Sequence, residues 1–151
     1  MVSGKEITLS KEKDKRKVVT EFYMAENNFW HKLVHKRGGT VEENIDNTLK
    51  SIYEEAEMIV VNAGKEKAAF FCKYVANSAP LELVGFHVKK EYRNKEFLTE
   101  FWSIVRMEFR GAFYTAICSI NEAAIEHLKR IGGTIEKDVE SNGKQFLIFK
   151  L

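Results

Sequence analysis

The chain has 151 residues, of which 44% are hydrophobic and 30% charged, with a net charge of +2. This length suits one domain, spanning 1–151, whose core can fold without staples, and so small a positive balance lays down no broad electrostatic footprint for nucleic acid or an anionic membrane. No apolar run approaches the ~20 residues that cross a bilayer, and the N-terminus has no signal-peptide core, so a soluble intracellular protein is expected.

Residues 5–9 read as a short strand. Lys11, Lys13, Lys15, Arg16 and Lys17 follow, broken by Glu12 and Asp14, which describes a solvated helix start rather than a binding arm. From 12 to 35 the residues Val18, Val19, Phe22, Tyr23, Phe29, Trp30, Leu33 and Val34 recur at helical spacing. His31 and His35 stand i, i+4 on that helix, a spacing that can chelate a metal. No acid lies between them in the HExxH manner and no third ligand is evident. With Lys32 and Lys36 alongside, they describe a basic, solvent-facing helix end, and no metal site is expected. Gly38 and Gly39 break the pattern. A second helix over 41–57 carries Val41, Ile45, Leu49, Ile52 and Ala56 on one face.

The period then changes. MIVVN at 58–62 and KAAFFCKYVA at 67–76, separated by AGKE, predict a hairpin. A third strand, LELVGFHV, covers 81–88 after Pro80, the only proline. A helix over 96–109 follows, burying Phe97, Phe101, Val105 and Phe109, with Gly111 as its stop; Trp102 is expected in the core. AFYTAICS at 112–119 is a strand. Ser119 and Glu122 have capping-box spacing, and the helix they open turns Ala124, Leu128 and Ile131 inward before Gly132 and Gly133. GTIEKDVE and KQFLIFKL, joined through SNG, form a terminal hairpin. Cys72 and Cys118 lie in apolar strands without CxxC spacing and are expected as buried free thiols; pairing would need an oxidising compartment. The order is β-α-α-β-β-β-α-β-α-β-β, a mixed α/β domain.

That order resembles the GNAT acyltransferase fold along nearly the whole chain. Two segments carry the resemblance. VKKEYRNKEFL at 88–98 is similar to the family's strand-to-helix segment V-x-P-x-x-R-x-x-G-x-G/A, and NEAAIEHLKRIGG at 121–133 is similar to N-x-x-A-I-x-x-Y-x-x-x-G-F. The resemblance implies an acyl-CoA site, with acetyl-CoA lying against Val88, Arg93, Asn94, Lys95, Glu96, Phe97 and Leu98 and near Asn121. Backbone N–H groups at such a helix start bind pyrophosphate, aided by the helix dipole, and glycines let the main chain approach the phosphates.

The matches are incomplete. Arg93 keeps the family arginine, while Glu96 and Leu98 replace the glycine-type positions, and Glu96 adds a carboxylate where phosphate charge would sit. It serves a helix first turn equally well. Leu128 occupies the position where many GNAT enzymes carry a tyrosine that protonates the departing thiolate, and leucine has no proton to give. His127, next to it, reads as a surface histidine. For the general base, the candidates are His87, whose imidazole titrates in the useful range, and Glu82 upstream on the same strand. A hydrogen-bonded strand histidine is the plain alternative for His87.

The tail, HLKRIGGTIEKDVESNGKQFLIFKL, resembles the C-terminal part of the GNAT-like internal virion proteins of short-tailed bacteriophages, which act in particle assembly. Two functions follow as expectations. One is a GNAT-fold assembly or interaction protein whose cofactor loop has eroded, with a virion or host protein as partner, residing in the virion or the host cytoplasm. The other is an atypical acetyl-CoA-dependent N-acetyltransferase acting on an amine.

Overall fold

A computed structural model describes residues 4–25, 40–75 and 80–151. Seven strands and four helices follow in the order strand β1 (Ile7–Glu12), helices α1 (Lys15–Ala25) and α2 (Val41–Lys50), and strands β2 (Glu57–Ala63), β3 (Glu66–Tyr74) and β4 (Glu82–Val88). A 3-10 turn (Lys90–Tyr92) leads to α3 (Lys95–Phe109), β5 (Tyr114–Cys118), α4 (Glu122–Arg130), β6 (Thr134–Ser141) and β7 (Lys144–Lys150). The order is the one read from the sequence. Phe29, Trp30, Leu33, Val34 and the His31/His35 pair lie outside the described residues.

The strands form one sheet in the order β1-β2-β3-β4-β5-β7-β6. Every neighbouring pair is antiparallel except β4 and β5. The central strands are covered on both faces, which is why they read as continuous apolar runs rather than alternating ones. Along β2, Met58 and Val60 pack with Val18, Phe22 and Ile45 of α1 and α2. Ile59 and Val61 turn to the other face, toward Phe97, Phe101 and Val105 of α3 and Leu128 of α4. Phe97, Phe101 and Val105 have no exposed surface, and each such side chain contributes about 1.5–3 kcal/mol by its burial. The edge strand β6 is almost wholly exposed, and its Glu136, Lys137, Asp138 and Glu140 discourage pairing with another sheet.

Several element ends differ from expectation. The second helix stops at Lys50, and Ile52 and Ala56 are buried from the turn that follows. The left-handed stop of α3 is Arg110 (φ 54°), not Gly111; its N–H donates to the Arg106 carbonyl. The N-cap of α4 is Asn121 rather than Ser119, its side chain accepting the Ala124 N–H, because a residue's own carboxamide two positions closer to the helix reaches the free N–H groups first. The terminal hairpin turns at Asn142 (φ 51°) and Gly143 (φ 76°), the two positive values that a type I′ turn requires.

Candidate functional site

Strands β4 and β5 are adjacent and parallel, yet they share one register pair, Glu82 with Tyr114. Tyr114 N–H donates to the Leu81 carbonyl at 3.0 Å. One residue on, the Thr115 hydroxyl donates to the Leu83 carbonyl at 2.7 Å. A side chain there takes the acceptor that a ladder N–H would have used, and the ladder stops. Beyond this junction the two strands part, and between them lies a cavity of about 710 Å³. Its walls include Val88, Leu98, Trp102, Ile117 and Phe146. Among the described residues the facing strand edges have no further register pair, so their amide groups can pair with an extended, amide-bearing ligand.

A bulge in β4 decides what faces where. Leu83 pairs with Lys73 and Gly85 with Cys72, leaving Val84 as the extra residue. Without it, Glu82 and His87 would point to opposite faces, since side chains alternate. With it, Glu82 (opposite Tyr74) and His87 (opposite Phe70) share the face covered by α1 and α2. Both candidates line the cavity.

His87 is 4% exposed, its ring 5.8 Å from that of Phe22 and 6.3 Å from that of Phe70. Arg93 folds back onto the end of β4: its Nε–H donates to the Val88 carbonyl at 2.8 Å, and its Nη2 lies 3.5 Å from His87 Nε2. A guanidinium has only donors, so Nε2 is the acceptor in this contact. Taking a proton there would set two cations together. Glu82 is placed differently. Its Oε2 accepts the Tyr53 hydroxyl at 3.0 Å, and burial, then this carboxylate, raise the Tyr53 phenol above its usual value.

The residues expected to hold a cofactor divide into two groups. Val88, Arg93, Leu98 and Asn121 line the cavity. Asn94, Lys95, Glu96 and Phe97 form the start of α3 beside it. Asn94 is the N-cap: its side chain accepts the Phe97 N–H at 2.9 Å, and its carbonyl accepts the Leu98 N–H at 2.9 Å. Phe97 itself is a core residue, while Lys95 and Glu96 are exposed. The loop is anchored from below by Tyr92, whose hydroxyl donates to Glu66 at 2.5 Å and accepts from Lys5 at 3.1 Å.

Tyr53, Trp102, Thr115 and His127 are cavity residues that sequence reasoning did not assign to the site. His127 is not a surface histidine: it is half-buried, lines the cavity, and its Nε2 accepts the Trp102 indole N–H at 2.7 Å. Burial first, then the nearby Arg130 charge, lower its pKa below the usual histidine value. Leu128, by contrast, has no exposed surface and belongs to the core. The signal was present in the spacing, since Ala123 and Ala124 also line the cavity, and His127 follows them at i+4 and i+3. Cys118 lines the cavity as a buried free thiol. Cys72, also free, lies in the core, where burial pushes its thiol up to about 12.

No protein-family model and no curated protein matches the chain. Solved structures do. An acetyltransferase from Thermus thermophilus superposes with a TM-score of 0.71 at 9% identity, over 96% of each chain. A probable GNAT-family acetyltransferase from Chromobacterium violaceum gives 0.69 at 14% identity, over 99% of this chain and 84% of that one. A GNAT-family acetyltransferase from Elizabethkingia anophelis, solved with acetyl-CoA bound, gives 0.61 at 12% identity, over 96% and 97%. The chain has the GNAT acyltransferase fold. At these identities the likeness extends to the GNAT fold and not to an activity. No described helix is long and apolar enough to cross a membrane.

Proposed function

We propose that the chain is an acyl-CoA-dependent N-acyltransferase acting on an amine. The observation that carries this reading is the parting of β4 and β5 after the Glu82–Tyr114 pair, which opens the cavity of about 710 Å³ onto two unpaired strand edges. Acetyl-CoA fits that wedge by chemistry. Its pantetheine arm is narrow and carries two amides, which match the open edges of β4 and β5. When bound, it supplies an activated acyl group. Residues Val88, Leu98 and Asn121 would hold the arm, and the start of α3 from Arg93 to Leu98 would face the pyrophosphate.

The remaining work falls to side chains of this chain. Glu82, on the α2 side of the wedge beside Tyr53, takes the proton that an acceptor ammonium loses. Its Oε2 is held by the Tyr53 hydroxyl, which fixes the carboxylate without neutralising it. His87 is the poorer base, because Arg93 is aimed at Nε2. It instead helps to pin Arg93 against the end of β4.

The competing reading is the assembly protein with an eroded loop. The observation in its favour is the start of α3, where Asn94 already takes the Phe97 N–H and Glu96 stands in the first turn. Thermal melts with and without millimolar acetyl-CoA separate the two. Ligand at about 100 times its Kd adds about 2.7 kcal/mol, a rise of several degrees for a domain of this size. No rise would refute the acyltransferase reading and favour the assembly role.

A further inference from the structure

The cavity wall contains a polar pair that neither of the family-like segments accounts for. Trp102, 2% exposed, is fixed by its neighbours: its ring lies 5.2 Å from that of Phe86 on β4 and 5.1 Å from that of Phe101 on its own helix, both edge-on. The indole N–H can only donate. It donates to His127 Nε2 at 2.7 Å, so that nitrogen must present a lone pair. In the neutral ring the proton then sits on Nδ1. Putting a second proton on Nε2 would set two N–H groups head-on at that distance. The His127 ring makes no other hydrogen bond among the described residues, and Nδ1 is not sealed off from solvent. The charged groups around the cavity reinforce the neutral form on balance: Arg130 stands on its own helix, Lys50, Arg93 and Lys144 are cations, and Glu82 is the one carboxylate among the lining residues.

We infer that His127 is a fixed neutral hydrogen-bond donor, held with its proton on Nδ1 by Trp102, and that it donates to the acyl thioester of the ligand in the wedge. The role rests on the acyltransferase reading. It is distinct from an acid or a base, since a neutral imidazole N–H keeps its proton near neutral pH. It also accounts for how this chain does without a tyrosine at Leu128: the donor stands one residue earlier, on the face of α4 that the cavity uses, and supplies polarisation rather than a proton, while solvent water carries the second amine proton to the departing thiolate. His127 is the contacting residue and Trp102 the positioning residue.

Two measurements test this. The first needs no ligand. In 15N- and 13C-labelled protein the His127 ring should show the Nδ1–H tautomer at about pH 7 to 8, and Trp102→Phe should release it to the commoner Nε2–H form. An Nε2–H or doubly protonated ring in the wild-type protein at neutral pH would overturn the inference. The second is acetyl-CoA titration, read by calorimetry and by the His127 resonances, in the wild type and in His127→Phe. The expected result is a shift of the Nδ1 signal on binding, with kcat/KM about 100-fold lower in the variant on any amine turned over. Trp102→Phe, which frees the tautomer, should lose part of the rate and show a smaller Nδ1 shift on binding than the wild type. If acetyl-CoA binds both proteins equally and leaves the ring resonances unmoved, the donor role is wrong while the acyltransferase reading stands. If acetyl-CoA binds neither, the reading fails and takes the donor role with it.

Discussion

Glu96 is the residue on which acyl-CoA affinity should turn. It is the second residue of α3, exposed, and lies beside the capping Asn94 at the place where a pyrophosphate would approach the helix start. Glu96→Gln removes the charge while keeping size and helix preference. Unit charges ~4 Å apart repel by about 4 kcal/mol at an effective dielectric of 20 but by only about 1 kcal/mol in bulk water. Exposure places Glu96 near the second limit, so the variant should bind acetyl-CoA about 5-fold more tightly, the equivalent of about 1 kcal/mol. The gain should be largest at low ionic strength, where the Debye length is ~30 Å at 0.01 M, and should vanish toward 1 M, where it is ~3 Å. The free protein should move the other way. An acid in the first turn favours the helix dipole by about 0.3–1 kcal/mol, so the variant without ligand should melt roughly 1–4 °C lower. Calorimetric titration at two salt concentrations, with melts of both free proteins, reads every sign. Unchanged or weaker affinity at low salt would refute the reasoning, as would a gain that salt does not erode.

Other expectations follow from the same geometry. In Gly133→Ala the new Cβ would stand 2.8 Å from the Leu128 carbonyl and 2.9 Å from Leu151 Cδ2; the carbonyl is held by the Gly133 N–H, so a loss of about 1–3 kcal/mol is expected, and an unchanged Tm would contradict it. Cys72, with its thiol at about 12, should resist alkylation at about pH 8 in the native protein and react on unfolding; rapid native labelling at this residue would show that β3 opens. His127 has a lowered folded pKa, so the unfolded chain binds the extra proton first. Its contribution to stability is present above the usual histidine pKa near 6.5 and is lost as pH falls through the folded value. Melts from about pH 7 down to 5 should therefore decline less in His127→Gln than in the wild type, and parallel declines would rule out this contribution.

The fold was legible because each of its layers leaves a periodic trace. Phe97, Phe101, Val105 and Phe109 repeat at the spacing of a helix packed on a sheet, and the apolar runs at β2 and β3 report strands covered on both faces. The order of elements followed from these. Element ends were less legible, since Arg110 takes a left-handed conformation next to a glycine that would have adopted it at no steric cost. Asn121 likewise caps a helix for which Ser119 and Glu122 had the familiar spacing.

The site was harder to read for a different reason: it is made where regular pairing stops. The Thr115 hydroxyl ends a parallel ladder after one register pair, and one inserted residue, Val84, brings Glu82 and His87 to the same face. Counting by twos along LELVGFHV would separate them. The face of α4 is a similar case. Alignment to the family pattern puts the tyrosine position at Leu128, but that side chain is in the core, and the neighbouring His127 meets the cavity and Trp102. A one-residue difference on a helix is a rotation of about 100°, enough to exchange a core position for a cavity position. The absence of a tyrosine at Leu128 is therefore weak evidence that chemistry has been lost, because that position does not face the wedge in this chain. Glu96 is the stronger objection. Unlike Leu128, it stands at the helix start where the phosphates would have to come, and its effect is the one that a single substitution can isolate.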